Sequence, residues 1–271
     1  MYKLIALDMD GTLLNENREI SKKNLKSIRI AIENGIKVVL ATGRPLKGIE
    51  NFLKELDLID NDNFSVSFNG ALVQNNTTGA VLSRNILTHD DVKYLYNLSK
   101  ILNVNRHALT KDSVLTTTHN PYTDIESNIN GIPIYITDLN NLDPSAEIIK
   151  FMFVDDPNVL DEVIKKLPKE VYEKYTVVRS ATYFLEFLHP VANKGAGVKA
   201  IAKELNIKSN EIICVGDAGN DIHMLQYAGL GVAMGNAFDE VKEIADYITK
   251  SNSEDGVAHV INEFILKNKI A

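Results

Sequence analysis

The chain has no tryptophan, and its one cysteine and six histidines among 271 residues each exclude a class of function. A lone thiol cannot close an internal disulfide, and Cys214 sits in the apolar run Ile212-Ile213-Cys214-Val215, where it reads as core packing before it reads as a nucleophile. The histidines are scattered, with no metal-ligand spacing among them, so no zinc-type centre is expected. No segment approaches the ~20 apolar residues of a membrane-spanning helix, and the apolar stretch at the N-terminus is too short for a secretory signal. The expectation is therefore no membrane partner and a cytoplasmic location. Positive charge is scarce as well. With 29 Lys and Arg against 36 Asp and Glu, the net charge is −7, which leaves no broad basic field to engage phosphodiesters and no expectation of nucleic acid as a partner. Internal repeats and low-complexity tracts are also missing.

The residues present describe a globular α/β protein. A hydrophobic fraction of 45% can bury a sizeable core, and the length permits one large domain or two ordinary ones. Apolar runs and helical periodicity alternate at both ends of the chain. They predict a strand at 3–7, a helix at 21–34 with Ser21 as N-cap and Gly35 as stop, a strand at 36–41 and a helix at 45–56. The same alternation resumes late, with helices at 194–205, 219–228, 237–245 and 255–267 and strands at 211–216, 230–234 and 247–249. Such alternation belongs to a doubly wound parallel sheet. Between the two stretches, helices at 90–102 and 157–174 and strands at 113–118, 132–136, 148–154, 176–181 and 184–188 predict an α+β insert. The linkers near 80–86 and 188–193 lack long Gly or Ser runs and read as hinges.

Four segments carry chemistry. In Leu7-Asp8-Met9-Asp10-Gly11-Thr12, two carboxylates stand where an apolar strand ends, a position that opens onto the ligand crevice of α/β proteins. Like charges held close together call for a shared cation or a shared proton, so the pair implies a Mg²⁺ site, an acid/base pair, or both. Gly11 permits a sharp turn, and Thr12 can bond the local backbone. Thr42-Gly43-Arg44-Pro45 follows a second strand and reads as a phosphate cradle: the Thr42 hydroxyl and Gly43 amide donate, and Pro45 suits the first turn of a helix. Lys194 stands at the start of a helix carried by Val198, Ile201, Ala202 and Leu205, where its ammonium can neutralise phosphate and a carboxylate together. Gly216-Asp217-Ala218-Gly219-Asn220-Asp221 is again a strand followed by an acidic turn. Asp217 is its stronger Mg²⁺ ligand, and Asp221 reads equally as charge complementing a helix N-terminus.

In that order the four segments resemble the motifs of the haloacid dehalogenase-like hydrolases. Asn69-Gly70-Ala71 and Phe184-Leu185-Glu186-Phe187 further resemble the Cof-type branch, whose members mostly take sugar phosphates and related small phosphomonoesters. The resemblance implies a Rossmann-like core of residues 1–83 and 190–271 and a cap domain of residues 84–189. It implies Asp8 as nucleophile, forming an aspartyl-phosphate, and Asp10 as general acid and base. Mg²⁺ would be held by Asp8, the Asp10 main-chain carbonyl and Asp217, with Asp221 as a further candidate. Met9, Thr42, Gly43, Lys194 and Asn220 would hold the phosphoryl oxygens. Arg106, His107, Tyr122, Lys150, Arg179 and Tyr183 are candidate cap contacts to substrate, each with an alternative reading as ordinary packing or structure. The expected partner is a small phosphorylated metabolite, and the chain a monomer or homodimer. A phosphomutase and a non-catalytic phosphate sensor are the rival readings, while a P-type ATPase is excluded by the missing membrane spans.

Overall fold

The strand Leu4–Leu7 is buried at every position, and so is Ile212–Gly216, which pairs with it in parallel from Leu4 opposite Ile212 to Leu7 opposite Val215. Strands covered on both faces read as unbroken apolar runs, which is why composition alone located them. In the computed structural model, which describes residues 1–60 and 62–267, these two form the middle of a five-stranded parallel sheet. Its order is Tyr247–Ile248, Leu230–Ala233, Ile212–Gly216, Leu4–Leu7, Lys37–Leu40. From Leu4–Leu7 the chain first winds to one side, then returns to fill the other. The reversal falls between Leu4–Leu7 and Ile212–Gly216, and at such a switch point the carboxyl ends of the strands leave a crevice. Residues 268–271 of the expected core lie outside the described residues.

The chain forms two compact units. The first comprises Met1–Thr42, Glu50–Ser83 and the chain from Asn193 on. Its helix Lys22–Glu33 begins as the sequence predicts, with the Ser21 hydroxyl accepting from the Asn24 amide at 3.1 Å, and Gly35 follows in the left-handed region at φ 79°. The predicted helix at 45–56 is instead a 3-10 turn, Leu46–Ile49, followed by the short helix Glu50–Glu55. A three-stranded sheet in the order Phe64–Ser67, Leu72–Asn75, Val81–Arg84 was not expected; its first two strands form an antiparallel hairpin, which a parallel bridge from Ala41 to Val66 attaches beyond the Lys37–Leu40 strand.

The second unit comprises Gly43–Ile49 and Arg84–Ala192. Its six-stranded sheet has the order Thr176–Ala181, Phe184–Leu188, Lys150–Val154, Arg106–Leu109, Val114–Thr116, Ile134–Ile136. The pairs are antiparallel except the last, which is parallel. Side chains alternate across it. Phe151, Phe153, Leu185 and Phe187 join an apolar core with Leu95, Leu98, Leu160, Val163 and Val171 from three helices, His89–Ile101, Pro157–Lys166 and Lys169–Lys174. The last two replace the single helix expected at 157–174. Pro168 lacks the amide a continuing helix needs and holds Leu167 in extended backbone, ψ 131°, so the helix stops there. The strand Arg106–Leu109 and the helix Pro121–Asn130 were also not expected; the helix has Asn120 as N-cap, Pro121 in its first turn and Gly131 left-handed at its end.

The opposite face of this sheet holds charge. Lys150 lies on it with Nζ 3.1 Å from Glu126 and 3.0 Å from Glu186, all three at 4% exposure or less. Glu126 belongs to the helix Pro121–Asn130, so the ion cluster ties that helix to the sheet. Removing one partner of a buried cluster leaves charge without compensation. Lys150→Ala is expected to lower unfolding free energy by about 3–5 kcal/mol, read from urea unfolding. Replacing Lys150, Glu126 and Glu186 together by Met, Leu and Leu should recover most of that loss.

Candidate active site

The carboxyl ends of the two central strands bring residues 8 and 217 together. Leu4–Leu7 ends one residue short of the first acid, and the Asp8 amide continues the ladder by donating to the Val215 carbonyl at 3.0 Å. The chain then turns at once. Leu13 donates to the Asp8 carbonyl at 3.2 Å and Leu14 to the Met9 carbonyl at 2.9 Å, with Gly11 at φ 85°. A side chain at Gly11 would strike the Asp217 carboxylate, so glycine serves both the turn and the approach of the second acidic loop. Because the strand has ended, this turn sets the positions of Asp8 and Asp10, not strand alternation: Asp8 is 6% exposed, while Asp10 lies at the surface. Thr12 does more than bond its local backbone. Its hydroxyl donates to Asp217 Oδ1 at 2.9 Å, a contact across 205 residues.

Carboxylate oxygens of Asp8, Asp217 and Asp221 lie within 4.8 Å of one another. Lys194, the first residue of the helix Lys194–Glu204 and 1% exposed, bonds Asp8 and reaches Asp221 Oδ1 at 2.7 Å. Its backbone is held by Asn193, whose side chain caps the helix by accepting from the Ala196 amide at 2.8 Å. One ammonium cannot balance three carboxylates out of water. Burial, together with Asp221 and Asp217, pushes the Asp8 carboxyl well above the usual carboxylate range against the pull of Lys194. Burial and Asp221 raise Asp217 in the same way. For Lys194, burial opposes the charge, but Asp221 and Asp8 outweigh it and hold the ammonium above its ordinary value. The surplus negative charge and the all-oxygen donor set suit a hard divalent cation.

Asp221 differs from the other two acids. It is fully buried; Oδ1 faces Lys194, and Oδ2 accepts from the amides of Asp217 at 2.9 Å and Ala218 at 3.1 Å. Both of its oxygens thus shape the loop and anchor the lysine. Thr42, 1% exposed, stands at the end of the Ala41–Val66 bridge, its amide donating to the Val66 carbonyl at 2.9 Å. Gly43, the next residue, packs with the second unit. Asn220 donates from Nδ2 to Asn69 Oδ1 at 3.0 Å.

Asn69, singled out in the sequence only for its resemblance to the Cof-type branch, lies at φ 53°, and Asn-Gly is a standard signal for backbone at positive φ. The same turn explains Gly70, at φ 90°, where a Cβ would collide with the backbone of Asn193.

The candidates in the second unit fall into two groups. His107 and Lys150 are interior: His107 is fully buried, with Nδ1 3.1 Å from the Thr123 hydroxyl and Nε2 3.2 Å from the Met152 sulfur. Arg106, Arg179, Tyr122 and Tyr183 are half-buried. Arg106 donates to the Ser99 hydroxyl at 3.1 Å and covers the Tyr96 ring, and Arg179 donates to the Ala181 carbonyl at 2.9 Å. Tyr122 and Tyr183 stack with ring centroids 6.2 Å apart.

A doubly wound sheet with carboxylates and one lysine gathered at its switch point defines a class: an α/β protein built as an enzyme with an acidic site is built. Residues 5–261 match the profile of the haloacid dehalogenase-like hydrolases, and the chain belongs to that family. It is 43% identical to YxeH of Bacillus subtilis over 98% of this chain and 99% of that one. It is 35% identical to the 5-amino-6-(5-phospho-D-ribitylamino)uracil phosphatase YcsE of the same organism, over 97% of this chain and 96% of the relative. Among solved structures, a haloacid dehalogenase-like hydrolase from Bacteroides thetaiotaomicron superposes with a TM-score of 0.86 at 34% identity, covering 98% of this chain and all of that one. The subclass IIB sugar phosphatase BT4131 superposes with a TM-score of 0.79 at 26% identity, covering 97% and 98%. Family and fold together make this a hydrolase of the phosphatase type. Among the described residues, no helix is long and apolar enough to cross a membrane.

The buried imidazole makes a pH signature. Burial, helped by Lys150, drives His107 down to about 3, whereas an unfolded histidine titrates near ~6.5. Below that value the unfolded chain takes up a proton that the folded one refuses. The His107 contribution to stability is therefore complete above pH ~6.5 and is lost as pH falls toward 3, by up to ~1.4 kcal/mol per pH unit. Chemical unfolding of His107→Gln across this range should show a limb shallower by about one proton; an unchanged slope would contradict the neutral buried ring.

Proposed function

We propose that the protein is a Mg²⁺-dependent phosphatase of small phosphomonoesters, sugar phosphates foremost, acting through an aspartyl-phosphate on Asp8. The observation that carries this reading is the placement of Asp8: buried at the switch point, ion-paired to Lys194 and within reach of Asp217. A carboxylate oxygen of Asp8 attacks phosphorus, the ester P–O bond breaks, and Asp10 gives its proton to the leaving oxygen. Water then attacks the acyl phosphate, Asp10 takes its proton, and orthophosphate leaves as Asp8 is restored. General acid/base help of this kind contributes typically ~10²–10⁴-fold. Lys194, Asn220, Thr42 and the amides of Met9 and Gly43 hold the phosphoryl oxygens.

A Mg²⁺ ion fits the oxygen donors of Asp8 and Asp217, with the Asp10 carbonyl as a third. Asp221, whose oxygens are already engaged by Lys194 and two amides, acts mainly through those partners. When bound, the ion supplies positive charge to offset that on the transferring phosphoryl group. The sugar-phosphatase structure and the ribitylamino-uracil phosphatase both support a phosphate carried on a polyhydroxylated chain or ring. We assign the choice among such substrates to the segment 84–189, acting as a cap.

Phosphate release measured across small phosphomonoesters, with Mg²⁺ and after chelation, tests the reading. Wild type should turn over only with metal. Asp8→Asn, nearly isosteric, should lose turnover while keeping its fold, and Asp217→Ala should need far more Mg²⁺. Near-normal release by the Asp8 variant would sink the covalent route.

A second comparison separates chemistry from selection. Tyr122→Ala should lower kcat/KM for preferred natural esters by roughly three- to tenfold, the worth of one neutral contact, and spare a small activated aryl phosphate. Lys194→Ala should depress every substrate alike, because all share the phosphoryl group. Equal losses across substrates from the Tyr122 variant would show that this residue serves the chemistry itself.

A further inference from the structure

The first unit has one run of consecutive left-handed residues, Phe68 at φ 49°, Asn69 at φ 53° and Gly70 at φ 90°. Elsewhere among the described residues, positive φ occurs at isolated positions. Gly70 adopts it freely and Asn69 tolerates it, but a buried phenylalanine there is an outlier. The turn closes a hairpin that a shorter, unstrained connection could also close. Strain of this kind persists only where the surroundings enforce it, and an observed outlier is a sound starting point for a functional inference.

Three contacts enforce it, and each lies on a different segment of the proposed phosphoryl-binding machinery. The Asn69 amide donates to the Thr42 carbonyl at 2.9 Å. Gly70 packs against the backbone of Asn193, the residue that caps the helix beginning at Lys194. The Asn69 side-chain oxygen accepts from Asn220 Nδ2 at 3.0 Å, and Asn69 itself is 3% exposed. Gly197, one turn into the lysine helix, sits against Val66 of the same hairpin, so the helix and the turn share one packing surface.

We infer that Asn69 is a positioning residue for phosphoryl transfer: its side-chain oxygen orients the Asn220 carboxamide, and its turn brackets the segments carrying Thr42 and Lys194. An amide group can present oxygen or nitrogen to a ligand by a half-turn about its last bond. Engaging one N–H of Asn220 fixes the nitrogen toward Asn69 and so fixes where the rest of the group points. The inference rests on the phosphatase reading, through the role given there to Asn220.

Two replacements separate acceptor from backbone. Asn69→Gly removes the oxygen and suits positive φ; Asn69→Ala removes the same oxygen and is strained. The Ala variant should melt lower than the Gly variant, yet both should lose kcat/KM by the same factor, about tenfold, on an aryl phosphate and on sugar phosphates alike. In a double-mutant cycle, Asn69→Gly should cost little more once Asn220→Ala is present. Losses that track melting temperature, or that add fully in the double variant, would overturn the inference. Calorimetric binding of orthophosphate to the Mg²⁺-loaded protein reads the same coupling without turnover. Failure of the phosphatase reading would appear as no phosphate release by wild type; failure of the bracket would appear as unchanged orthophosphate affinity in the Asn69 variants.

Discussion

A lysine ammonium buried against two aspartates is the interaction on which the first unit depends. Lys194 meets Asp8 just past the strand Leu4–Leu7 and Asp221 from the loop after Ile212–Gly216, so its charge joins segments nearly two hundred residues apart. Asp217, half-buried, brings a further carboxylate to the same place, and the sum is an excess of negative charge at a largely buried site. A site built this way gains by taking up a cation or a proton. That imbalance links the architecture of two adjacent parallel strands to the chemistry assigned to the protein.

The second unit contains a cluster of similar composition and different meaning. Lys150 lies between Glu126 and Glu186 as Lys194 lies between Asp8 and Asp221. The difference is in the surroundings. The Lys150 cluster is closed on every side, beside a neutral His107, and fastens a helix to a sheet. The Lys194 cluster includes Asp217, half-buried on a loop whose shape depends on Gly11 and Gly216 giving it room. Buried charge alone therefore does not mark a reaction site; a surplus of one sign with an opening to solvent does.

Backbone conformation supplies the remaining precision. The left-handed turn at residues 68–70 touches Asn220, the cap of the Lys194 helix and the end of the Thr42 strand. Three chain segments far apart in sequence, carrying Thr42, Lys194 and Asn220, would otherwise be positioned independently, since connecting segments are the mobile parts of a fold. A rigid turn packed against all three limits that freedom.

The doubly wound core was legible in the sequence because its strands are apolar at every position and its helices carry their own start and stop signals, Ser21 and Gly35 among them. The places of the acidic strand ends, of Thr42 and of the loop from Gly216 to Asp221 were legible because each directly follows an apolar strand; Lys194 alone carried only a weak local signal. The hairpin at 64–75 was not, since its buried polar residues are satisfied by one another and by the chain just beyond it: Ser67 donates to Gln74, Ser65 to Asn76, and Asn75 accepts from the Thr78 amide, bonds that no periodicity signals. The break at Pro168 was within reach of local rules, but the apolar period on either side masked it. Only the tertiary structure decided that Thr12 bonds Asp217, that Asp221 commits both oxygens to Lys194 and two amides, that His107 and Lys150 lie inside the second unit, and that Asn69 holds Asn220. Local sequence determines where a strand ends and which groups stand there; which of those groups meet depends on contacts across as many as two hundred residues, and these exist only once the sheet has formed.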